Sequence, residues 1–116
     1  MSTAARLVIV LVAALHAYFL VLEMFLWDTP TGRRVFRLTP EYSAASRVLA
    51  ANQGLYNGFL AAGLIWSVIV SSSAIASFFL ICVVVAGLFG AATVSRRIFW
   101  IQAAPALVAL ALLRWS

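Results

Sequence analysis

Four apolar runs limit what this chain can become. They fall at about residues 5–27, 40–70, 74–94 and 98–115, with short polar stretches between them. A helix needs about 20 residues to cross the hydrocarbon of a bilayer, and each run is near that length or longer. Only 9% of the 116 residues are charged, whereas a water-soluble domain usually carries about 25%. So little charge cannot clothe a water-facing surface. The sequence therefore predicts an all-α fold, a four-helix transmembrane bundle, as one integral membrane domain over residues 1–116. Four crossings place both termini on the same side.

Local signals divide the runs. Arg6 ahead of apolar residues looks like the start of a secretory signal, but the apolar run continues far past any cleavage point, so helix 1 is expected to be retained. Thr29-Pro30 and Gly32 stop that helix and turn the chain into a loop at 28–39. Thr39-Pro40-Glu41 opens the second helix: a capping hydroxyl, a proline tolerated in the first turn, and an acid at the positive helix end. Ser71-Ser72-Ser73 and Ser95-Arg96-Arg97 are tight connections. Pro105 removes the donor that the Ile101 carbonyl needs, which predicts a kink in the fourth helix.

Arginine supplies every basic side chain. Arg33, Arg34, Arg37, Arg47, Arg96 and Arg97 lie on the side of the first and third connections, and Arg6 and Arg114 on the side of the termini. Cytoplasmic connections carry the excess of such residues, so 28–39 and 95–97 are expected in the cytoplasm. There the arginines set topology and meet anionic headgroups of the lipid bilayer, and no nucleic-acid partner is expected. Cys82 stands alone, so no disulfide forms within the chain.

The second run holds the main functional signal, LAANQGLYNGFLAAGL from Leu49. On a helical wheel Asn52, Tyr56, Gln53 and Asn57 share an arc of roughly 140°. Gly54, Gly58 and Ala62 recur at four-residue spacing, which lets another helix approach closely. Val48, Leu55, Phe59 and Trp66 form a bulky face suited to lipid. Packing within one chain is the expected use of the glycine stripe, and a homo-oligomer is the alternative. Cys82, Ala86 and Gly90 make a similar stripe on the third helix.

Helix 1 adds His16 and Glu23, about 20° apart on its wheel. Ionisable groups are costly in lipid and should turn inward. Gln102 enters from helix 4. The candidate ligand-binding set is thus His16, Glu23, Asn52, Gln53, Tyr56, Asn57 and Gln102, in the inner half of the bilayer. The competing view is structural, since amides join membrane helices at about 0.6 kcal/mol per bond on average. His16 and Glu23 differ in rise by about 10.5 Å, too far to share one ion, so no metal is expected, and no cofactor motif is present. The favoured function is binding or passage of a small molecule or proton. The alternatives are a membrane enzyme on a lipid-like substrate, with Glu23 and His16 as acid and base, or a structural subunit of a membrane complex.

The runs HAYFLVLEMFLWDTPTGRRVF, from His16, and LAANQGLYNGFLAAGLIW, from Leu49, resemble a bacterial family called domain of unknown function 1304. The matched positions are His16, Glu23, Trp27, Thr29, Pro30, Gly32, Arg33, Phe36, Asn52, Gln53, Gly54, Tyr56, Asn57, Gly58 and Phe59. The last two helices match mainly in length and hydropathy. Arg34 stands where relatives often carry lysine, which keeps the charge. The resemblance implies a small four-helix protein of the bacterial inner membrane and carries over no catalytic role.

The arginine asymmetry predicts that a cysteine introduced at Gly32 is labelled only by reagents that reach the cytoplasmic side. Labelling from outside intact cells would reverse the orientation.

Overall fold

Thr29 and Pro30 begin a helix as well as ending one. The computed structural model describes residues 1–115. Its elements are α1 (Thr3–Met24), α2 (Pro30–Phe36), α3 (Pro40–Ile69), α4 (Ser73–Thr93), a π-helical turn (Phe99–Ala103) and α5 (Ala104–Arg114). The fold is all-α, with no strand among the described residues. The connection expected as an open loop over 28–39 therefore contains α2. Thr29 Oγ1 donates to the Leu26 carbonyl at 2.6 Å and accepts from Gly32 N at 3.3 Å, while Pro30 takes the first helical position. Arg37 closes α2 in the left-handed region at φ 56°, and Leu38 N donates to the Arg33 carbonyl.

The chain forms two compact units. The first, Leu15–Phe59, holds the later part of α1, α2 and the first part of α3. Its connection is tied down by polar side chains. Trp27 Nε1 donates to Ser46 Oγ at 3.0 Å, and the Trp27 and Phe36 rings lie 4.8 Å apart. Asp28 Oδ1 accepts from Ser43 Oγ at 2.7 Å and pairs with Arg33 at 3.0 Å. That ion pair is partly exposed and adds up to about 1 kcal/mol. Ser43 is fully buried, and its hydroxyl also lies 3.1 Å from the Pro40 carbonyl oxygen.

Gly32 decides how tightly α2 folds back. A Cβ there would lie 2.0 Å from the Leu26 carbonyl oxygen and 2.7 Å from that of Trp27. Backbone cannot yield as a side-chain tip can, so only glycine fits.

The second unit comprises Met1–Ala14 and the chain from Leu60 onward. Ile9, Val12, Ala13, Leu64, Ala76, Leu80, Val83, Ala106 and Ala109 form its core. On α4 the buried positions are Ala76, Leu80, Val83 and Gly87. The expected stripe Cys82–Ala86–Gly90 is only partly a packing face: Ala86 is exposed, Cys82 half-buried, and Gly90 comes close to Ile98. A helix apolar all round offers several small-residue stripes of equal strength. The tight approach is made by Gly87, where a Cβ would lie 2.8 Å from the Ala103 Cβ.

Pro105 produces a wide turn at the point expected to kink. The Ala104 N–H reaches back to the Phe99 carbonyl, five residues away. Arg6 closes the other end of α3, donating to the Val68 carbonyl at 3.1 Å and to Ser71 Oγ at 2.8 Å. Two helices, Thr3–Met24 and Ser73–Thr93, are long and apolar enough to cross a membrane; Phe99–Arg114 is apolar but shorter.

Gly32→Ala is expected to destabilise the protein by about 2–4 kcal/mol, read as a lowered unfolding midpoint in detergent. An unchanged midpoint would contradict the close carbonyl contact. A labelling cysteine at Gly32 would meet the same carbonyl, so the exposed neighbour Thr31 is the better probe position.

Candidate functional site

The site lies in the first unit, where α1 and α3 meet through side chains of unequal size. Gly54 provides the space. A Cβ added there would lie 2.7 Å from Met24 Cγ, 3.1 Å from Glu23 Cβ and 3.3 Å from the Leu20 carbonyl oxygen. One turn along, a Cβ on Gly58 would lie 2.6 Å from Leu20 Cδ1. With no side chains at these two positions, the α1 backbone comes near enough for Glu23 to reach across. The bulky residues of α3 take the other side: Val48, Leu55, Phe59 and Trp66 are all exposed.

Glu23 is 2% exposed. Gln53 Nε2 donates to its Oε2, and Asn57 Nδ2 donates to its Oε1. Gln53 and Asn57 are four residues apart, hence neighbours on one helix face, and the two carboxyl oxygens span that interval. Neither partner carries charge. A buried carboxyl left without donors would cost several kcal/mol, so each amide is energetically important. Among the described residues no buried side-chain nitrogen or oxygen lacks a partner.

The two amides differ in setting. Asn57 is 8% exposed, whereas Gln53 lies on the exposed side of α3 with Asn52 and Tyr56. Asn52 and Tyr56 share the expected polar arc but make no bond to Glu23. Asn57, one turn beyond Gln53, holds Glu23 as well. His16 is fully buried two turns along α1, edge-on to Phe19 with ring centroids 5.5 Å apart. Gln102 is half-buried in the π-helical turn and belongs to the other unit.

Sequence reading gave no role to Asp28, Ser43 or Ser46, which brace the connection between the two helices of the site. The available signal was the pair Ser43 and Ser46, three residues apart near the start of a helix that faces Trp27-Asp28. Among the described residues no group of three or more His, Cys, Asp or Glu is placed to hold a metal. The site can exchange a proton at Glu23 or accept a hydrogen-bond donor there in place of an amide.

A sequence model of the family described as "Protein of unknown function (DUF1304)" matches residues 10–114. A protein of Lactococcus lactis subsp. lactis (strain IL1403), named "Uncharacterized protein YpaA", is 36% identical over 104 residues, covering 86% of this chain and 87% of that protein. No solved structure matches the chain.

Gly54→Leu and Gly58→Leu are each expected to destabilise by about 1–3 kcal/mol through overpacking. Phe59→Leu, at an exposed position, should leave the thermal midpoint in detergent nearly unchanged. Equal midpoints for all three would mean that the α3 faces are misassigned.

Proposed function

We propose a function from this chain's own residues, because the chain belongs to the DUF1304 family, which is described as one of unknown function. The protein is an integral protein of the bacterial plasma membrane, crossing it four times as a helical bundle. The spans are α1, α3, α4, and the π-helical turn continued by α5. Both termini lie on the outer side, and the connections at 28–39 and 95–97 lie in the cytoplasm. It binds, or passes, a small molecule or proton at Glu23.

The lengths and apolar character of α1 and α4 support this reading. So does the inverted distribution of polarity: Leu7, Phe25, Val48, Phe78, Phe89 and Trp100 are exposed while His16, Glu23 and Asn57 are buried. α3 is less apolar because it carries amides, of which Asn57 is buried and, with Gln53, bonded to Glu23 on α1. Arg6 joins the start of α1 to the connection after α3, as expected if the N-terminus and that connection share one side.

The observation that carries the function is Glu23, almost fully buried and held by two neutral amides. Packing two apolar helices needs no carboxyl, and an intramembrane carboxyl marks a ligand, ion or proton pathway by default.

Infrared difference spectroscopy on protein in lipid nanodiscs tests it. In the wild type a carboxyl C=O band should appear and disappear reversibly as the bulk pH is changed, and Glu23→Gln should fold yet lack that band. A Glu23 band that never responds while the protein stays folded would make the residue purely structural.

A further inference from the structure

We propose that the Glu23 site takes a lipophilic organic cation, an amine in its ammonium form, which displaces the Gln53 amide from Oε2 while Asn57 stays on Oε1. This deepens the reading of Glu23 as a binding site and rests on it. Charge comes first. The two groups on the carboxyl are neutral, so an ionised Glu23 lacks a counter-charge in its own hydrogen-bond shell. A proton or a bound cation supplies one, and an anion would be repelled. A metal ion is a poor fit, because no three His, Cys, Asp or Glu converge among the described residues. An ammonium needs fewer protein ligands: it donates N–H bonds and buries its carbon chain against apolar side chains.

The unequal burial of the amides sets the route. Asn57 is packed away, whereas Gln53 is exposed and has the longer side chain. Rotating Gln53 outward uncovers Oε2 without disturbing the helix contact at Gly54 and Gly58. The groups beside that opening suit a cation with an apolar tail. Tyr56 follows Gln53 by three residues on the exposed side of α3, and its ring lies 6.0 Å from that of Phe59. Aromatic faces attract cations when water is excluded. Amide oxygens, which accept hydrogen bonds, are supplied by Asn52 and by Gln53 itself.

The ammonium and a proton compete for one carboxylate, so binding one releases the other. From α3, Gln53, Gly54 and Asn57 face Glu23, and none is titratable. Tyr56 is the titratable group on the neighbouring exposed side. On α1 the nearest are Tyr18, about 7.5 Å away along the axis, and His16, about 10.5 Å away. Asp28, beyond the end of α1, is engaged by Ser43 and Arg33.

The test uses full-length protein in nanodiscs of zwitterionic lipid, with n-octylammonium as probe and n-octyl sulfate as the anionic control. Octylammonium should bind at one site per chain with release of a proton, and Glu23→Gln should weaken binding at least tenfold. Gln53→Ala, which removes the amide to be displaced, should tighten binding several-fold even though loss of that hydrogen bond lowers the thermal midpoint of the unliganded protein. Octyl sulfate should partition equally with wild type and Glu23→Gln. Ammonium binding that is the same in wild type and Glu23→Gln overturns the proposal, as does a folded Gln53→Ala that binds more weakly. If the Glu23 infrared band still follows pH but no ammonium binds, the cation inference fails and the proton reading stands. If the band is silent and nothing binds, both fail.

Discussion

A carboxyl between apolar helices has to be satisfied locally, and the helix pair in the first unit is arranged around that requirement. Glu23 is almost fully buried, and α3 brings two amides to it, one for each oxygen. Those amides reach it because α3 carries glycine where α1 passes closest. The approach is held at its end by the brace of Asp28, Ser43, Trp27 and Ser46. Small residues, donors and brace are therefore parts of one arrangement. Loss of the glycine space would strand the carboxyl as well as crowd the helices.

Much of this was legible in the sequence for simple geometric reasons. The arc of Asn52, Gln53, Tyr56 and Asn57 follows from helical periodicity, but only Asn57 of it is buried; Asn52, Gln53 and Tyr56 are exposed, as are Val48, Phe59 and Trp66 on the bulky face. Contact between Glu23 and Gln53 follows from matching their distances to the helix ends. The pairing of Asn57 does not. Depth along the axis places Asn57 nearer His16, but side-chain reach matters as much as Cα depth. A carboxyl has two oxygens and takes donors from successive turns of the facing helix.

Other features were hidden because one residue can serve two purposes. Thr29-Pro30 ends a helix in sequence terms, yet it caps and starts the next one within the same turn. On α4 nearly every residue is apolar, so composition alone cannot rank its faces. Gly87 is chosen by the partner it meets, Ala103, which a one-dimensional pattern does not reveal. Pro105 identified the site of distortion, while the form of that distortion depended on how the chain could widen around a missing donor.

The wide turn before α5 also sets the helical phase of everything after it. Its hydrogen-bonded ring encloses one residue more than an α-turn, which rotates the following segment by about 100° relative to an uninterrupted helix. With that offset, Ala106 and Ala109 point into the core and Leu107 is left outside. An uninterrupted helix would bring Pro105 and Val108 to those inner positions. The distortion thus puts alanine rather than proline and valine on the inward face, allowing α5 to lie close along α4. A proline that costs one hydrogen bond fixes which side of the last helix is the narrow one.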